Sequence, residues 1–205
     1  MSAHCCQPEP EATSPRHGPY RKVLWIALII NFMMFIVEIV FGVRAGSVSL
    51  LADSLDFLGD AANYGISLWV LGMSLSIRAR ASLLKAVSMA TFGLWILGSA
   101  VWHATTGNLP SAQTMGLVGA LALAANLFVA LLLYAYREGD SNMRSVWLCT
   151  RNDALGNVAV LLAALGVFGT GTAWPDLGVA IVMAALALSS AWQVIHHARR
   201  ELAAV

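Results

Sequence analysis

Residues Val48–Ile77 read VSLLADSLDFLGDAANYGISLWVLGMSLSI, a largely apolar run broken by three carboxylates, Asp53, Asp56 and Asp60. The run is longer than the roughly 20 residues a spanning helix needs. A carboxylate at mid-membrane costs about 2.5–3.5 kcal/mol even on the lenient insertion scale, so acids placed there mark a functional site. Asp56 and Asp60 stand four apart, on one helix face and one turn above the other. Two hard oxygen donors stacked in this way can grip a cation.

The composition of the chain sets the context. Of 205 residues, 59% are hydrophobic and 11% charged, against about 25% charged in soluble domains. This is the composition of an integral membrane protein, expected as an all-α bundle. Six apolar segments give expected spans of 23–43, 48–77, 83–104, 113–135, 145–169 and 174–195. The breaks between them fall at Arg44–Ser47, Arg78–Arg80, Thr105–Pro110, Arg137–Asp140 and Gly169–Pro175.

Residues 1–20 are polar and carry Pro8, Pro10, Pro15 and Pro19, so they read as a disordered cytoplasmic lead. Residues 21–198 are the expected six-helix transmembrane domain, and 199–205 a short cytoplasmic tail without room for a folded domain. No cleavable signal is visible, and the first apolar run is too long for a signal core; it reads as a signal anchor. The net charge of +1 and the scattered Lys and Arg exclude a nucleic-acid-binding stripe. Cys5, Cys6 and Cys149 make no disulfide framework. His4-Cys5-Cys6 is either a metal-capturing cluster or an idle part of the lead.

Orientation follows from the basic residues. All of the 12 Lys and Arg except Arg44 flank the same side, which the positive-inside rule makes cytoplasmic, with both termini there. Trp25, Trp102, Trp147 and Trp174 fall near expected helix ends, where an aromatic belt would place them.

With orientation assigned, depth can be compared. Segment two runs inward and segment five outward. At 1.5 Å per residue Asp60 lies about 18 Å below the outer face and Asp153 about 12 Å above the inner one. In a core of about 30 Å these depths coincide. Asn157 is then level with Asp56, and Cys149 about one turn nearer the cytoplasm. Two antiparallel helices can therefore bring Asp56, Asp60, Asp153 and either Cys149 or Asn157 to one point. Asp56-Phe-Leu-Gly-Asp60 also echoes Asp153-Ala-Leu-Gly-Asn157, the kind of trace a 3+3 inverted repeat leaves.

The run from Gly46 to Asp60, Gly-Ser-Val-Ser-Leu-Leu-Ala-Asp-Ser-Leu-Asp-Phe-Leu-Gly-Asp, resembles the second helix of the cation diffusion facilitator family. The family's ligand positions there correspond to Asp56 and Asp60. Its fifth helix carries a ligand four residues before an aspartate; here these are Cys149 and Asp153. The resemblance spans about residues 20–198 and implies proton-coupled export of divalent transition metals across a bacterial cytoplasmic membrane, often by a homodimer. It implies no permanently bound cofactor. Two departures stand out: Cys149 replaces the usual His or Asp, and the usual cytoplasmic carboxy-terminal domain does not follow.

The supporting residues admit more than one role. A thiolate at Cys149 would favour soft or borderline ions, Zn²⁺ first and then Cd²⁺ or Co²⁺; as a small apolar filler it would favour none. Asp53 either neighbours the site or serves as a helix-terminal carboxylate or serine partner. Asn157 is expected to orient a carboxylate or bond between helices. Glu38, the one charge inside segment one, can pair with Arg44, line the metal path or relay protons. Two further classes compete with transport: a membrane metal-dependent phosphotransferase, which would want an arginine near its aspartates, and a non-transporting sensor or assembly subunit.

Overall fold

Apolar runs make the helices, and glycines make the turns between them. The computed structural model describes residues 17–69, 75–136 and 141–203. These form α1 (His17–Ala45), α2 (Val48–Trp69), α3 (Leu75–Thr106), α4 (Ala112–Tyr134), α5 (Ser141–Thr170) and α6 (Trp174–Ala203). Gly46, Gly107 and Gly171 follow α1, α3 and α5 with φ of 63°, 69° and 64°. That left-handed conformation ends a helix, and glycine adopts it without a Cβ penalty. All three glycines lie in expected breaks.

Several expected boundaries move. α1 starts at His17, inside the segment expected to be disordered; Pro19 sits in its first turn, where a missing amide costs no helical bond. α3 starts at Leu75, so residues 75–77 belong to it and not to the second span, and Arg78 and Arg80 lie in a helix where a loop was expected. Residues 66–77 carry no charge, so hydropathy holds no signal for this boundary. α6 runs to Ala203, through most of the expected tail. The break at Arg137–Asp140 and the His4-Cys5-Cys6 cluster lie outside the described residues.

The helices pair in a repeating way. α1 packs along α2 and α4 along α5; α1 also meets α4, and α2 meets α5. The third helix of each half, α3 and α6, forms the most extensive pair. A Cβ at Gly93 of α3 would stand 3.1 Å from Leu188 of α6, and Ala184 and Ala187 are buried beside it in the sequence. Small residues allow such close approach where lipid offers no hydrophobic drive.

Among the described residues, α1, α3, α4, α5 and α6 are long and apolar enough to cross a membrane. α2 carries three aspartates within its 22 residues. It is wrapped by protein: Val48 through Leu55 are all buried, and Phe57, Asp60, Tyr64 and Leu68 continue the buried face. The other helices turn Met33, Leu94, Leu117, Leu162, Phe168 and Val182 outward, a surface suited to lipid. Trp25, Trp102 and Trp174 are exposed, as a belt requires; the Trp147 side chain lies outside the described residues.

The core is divided along α2. One cluster joins Val48, Leu55, Ile96, Met115, Val160 and Leu177. A second joins Tyr20, Leu24, Tyr64, Leu68, Val129 and Leu133. Asp56 and Asp60 fall between the two along the helix.

Candidate metal centre

α2 can present acids only if its own ends are held, and Asp176 holds the first of them. Its Oδ1 accepts from Ser47 Oγ at 2.7 Å, Ser49 Oγ at 2.6 Å and Ser49 N at 3.1 Å, and its Oδ2 from Val48 N at 2.8 Å. Ser47 Oγ accepts in turn from Leu50 N at 3.2 Å. An acid in the first turn of α6 thus satisfies amides of α2 that the helix leaves unpaired. Ser111 N donates to Ala45 O at 2.9 Å and ties the same turn to the start of α4.

Deeper along α2, Asp60 is buried and Tyr64 donates to its Oδ2 at 2.8 Å. Tyr64 also lies 2.8 Å from Thr150 Oγ1 of α5; with its one proton given to Asp60, it accepts from Thr150. The Asp153 carboxyl adjoins that of Asp60, and the Lys85 charge from α3 acts on Asp60. Lys85 Nζ donates to Asn63 Oδ1. Equal depth on antiparallel helices has become side-by-side placement. Two carboxylates this close repel unless a cation or a proton stands between them.

A second group lies toward the Gly46 turn. Glu38 of α1 and Asp53 are fully buried, and their carboxyls adjoin; Asp56 is the next charge facing Glu38. Gly156 of α5 backs onto this group: a Cβ there would stand 3.9 Å from Asp53 Oδ1 and 4.0 Å from Asp56 Oδ2. Asp56 is half-buried.

Several expectations are corrected here. Asp60 and Asp153 adjoin, with Asp56 one turn along α2; among the described residues, which leave out the Cys149 side chain, no three His, Cys, Asp or Glu side chains stand as a ready-made metal cage. Asp56 stands with the Glu38–Asp53 group, while Asp60 and Asp153 face each other further along. The Cys149 side chain lies outside the described residues. Asn157 is buried, yet neither of its amide atoms meets a hydrogen-bond partner, so it makes no interhelical bond. Asp53 is not the helix-terminal acid, because Asp176 caps α2. Glu38 does not bond Arg44, whose guanidinium lies 5.9 Å from the Phe41 ring centroid.

The sequence reading passed over Tyr64, Thr150, Lys85 and Asp176. Tyr64 had a signal, since it stands four residues after Asp60 on the same face. Asp176 had only the look of an ordinary acid at a helix start.

Residues 24–203 match the cation efflux transmembrane domain. The zinc transporter ZitB of Yersinia pestis is 28% identical over 194 residues, which cover 88% of this chain and 62% of that protein. ZitB of Escherichia coli K12 is 27% identical over 202 residues, 92% of this chain and 64% of its own length. The cadmium, cobalt and zinc/H(+)-K(+) antiporter of Bacillus subtilis is 26% identical over 197 residues, 86% of this chain and 61% of its own. The chain spans less than two thirds of the length of these relatives.

Proposed function

The chain belongs to the cation efflux family, and from that premise we propose that it exports divalent transition-metal ions from the cytoplasm in exchange for protons. It is an integral membrane protein of a transporter family, and the phosphotransferase reading falls with that. Zn²⁺ is the foremost cargo, with Cd²⁺ and Co²⁺ behind it; these are the ions named for its relatives.

The observation that carries the reading is the pairing of Asp60 with Asp153 across α2 and α5, on a helix whose first eight residues are all buried. The ion is held there by Asp60 and Asp153, with Asp56 drawn in from one turn along α2 and Cys149 from one turn before Asp153. Tyr64 and Thr150 hold the Asp60 carboxyl in place. Carboxylates suit an antiporter because they accept either a metal ion or protons, and metal binding must release the protons. An inward proton gradient then drives the metal outward as the two halves alternate. Both termini face the cytoplasm in this arrangement, and the working unit is a homodimer.

The test is Zn²⁺ uptake into proteoliposomes loaded with acid. Uptake collapses when the pH gradient is dissipated, and Asp60→Asn or Asp153→Asn abolishes it, although each variant removes a costly buried charge and folds. Wild-type flux in either variant removes the site. No flux in the wild type would leave a non-transporting membrane subunit.

A further inference from the structure

Resting on the reading of the chain as a metal exporter, we propose a second cation site, made of oxygen ligands only, at Glu38 of α1 and Asp53 of α2. Asp56 is shared between this site and the Asp60–Asp153 pair. Asp53 lies about 10 Å from Asp60 along α2, toward the Gly46 turn, by helical rise. In the proposed orientation that is the exit side.

The side chains there are built for an ion. Glu38 is fully buried, and neither of its carboxyl oxygens meets a hydrogen-bond donor of the protein; Asp53 Oδ2 meets none either. Among the described residues, the charged groups facing Glu38 are Asp53 and Asp56, both acidic, while the nearest basic residue along α1, Arg44, is engaged on Phe41. A buried polar group without a partner costs several kcal/mol in an apolar setting, and a charged one more. Two such carboxyls side by side add repulsion to that cost. A cation answers both.

The third wall leaves space for it. Gly156 presents bare backbone where any other residue would put a Cβ about 4 Å from Asp53 Oδ1 and Asp56 Oδ2. The next residue, Asn157, is fully buried with both amide atoms unpartnered, an independent polar group at the same level of α5. Carboxylate and amide oxygens are hard donors. They discriminate among divalent ions less than a set containing a thiolate, which suits a station from which the ion leaves.

Purified protein stripped of metal with EDTA and dialysed against Zn²⁺ tests this by elemental analysis. Glu38→Gln and Asp53→Asn each hold one Zn²⁺ fewer per chain than the wild type; so does Asp153→Asn, and Glu38→Gln combined with Asp153→Asn holds two fewer. Glu38→Asp keeps the charge on a shorter arm and weakens the second ion without removing it, which guards against a folding defect in the Gln variant. If Glu38→Gln binds as many ions as the wild type, the second site is overturned and the pair carries a shared proton instead. The parent reading fails by a different readout, wild-type Zn²⁺ flux in Asp153→Asn.

Discussion

Replacing Asp176 tests how firmly α2 is pinned. Asp176→Ala removes the acceptor of Val48 N, Ser49 N, Ser47 Oγ and Ser49 Oγ at once. The two hydroxyls lie 3.4 Å apart and can turn to each other, so the loss that cannot be recovered is that of the two amides. Bonds from amides to a charged acceptor contribute about 1.5–3 kcal/mol each, giving about 3–6 kcal/mol in all. Asp176→Asn keeps one oxygen and the Ser47 and Ser49 bonds, but turns an NH₂ toward Val48 N, for about 2 kcal/mol. Ser49→Ala loses one hydroxyl bond, about 1 kcal/mol. At about 2–4 °C per kcal/mol for a chain of this size, Asp176→Ala should melt on the order of 10 °C lower. Heating the detergent-solubilised protein and following its monodisperse fraction by size exclusion gives the ranking. If Asp176→Ala melts with the wild type, or Ser49→Ala proves the worse of the two, the pinning argument is wrong.

Three further outcomes are expected. Gly166→Ala would place a Cβ 2.7 Å from Pro175 Cβ and 2.9 Å from its Cγ; overpacking of this kind costs about 1–3 kcal/mol, and an unshifted melting curve would contradict it. Tyr64→Phe frees the Asp60 carboxyl from its orienting hydroxyl and should weaken Zn²⁺ binding about 10–100-fold, read by titration calorimetry; unchanged affinity would mean that Tyr64 only fills space. Cys149→Ser should lower Cd²⁺ transport more than Zn²⁺ transport, and a constant Cd²⁺ to Zn²⁺ ratio in vesicles would take the thiol out of the site.

What the sequence disclosed depended on the kind of coordinate asked for. Register between antiparallel helices was readable: helical rise put Asp60 and Asp153 at one level, and their carboxyls adjoin. Rotation about the helix axis was not. Asp53, Asp56 and Asp60 lie within about 60° of one another in turn at 100° per residue, so the sequence does not tell which of them meets Glu38 of α1 and which meets Asp153 of α5. The boundary between α2 and α3 stayed hidden because residues 66–77 offer no charge to mark it. Asp176 could not be read as a cap for α2 because Val48 and Ser49 precede it by 128 and 127 residues.

The burial of α2 bears on how the protein is made. Three aspartates near the middle of one segment oppose its partition from the translocon by about 8–10 kcal/mol, which its few leucines return only in part at about 0.5 kcal/mol each. α1 is the helix already in the bilayer when α2 emerges, and its long packing against α2 makes the two enter as a hairpin. Asp153 follows Asp60 by about 90 residues, so at 5–20 residues per second α2 waits on the order of 5–20 s for its polar partner on α5. During that wait Glu38 is the acid that α1 holds against it. Weak packing between α1 and α2 would therefore appear first as low yield in the membrane, before any defect in transport could be measured.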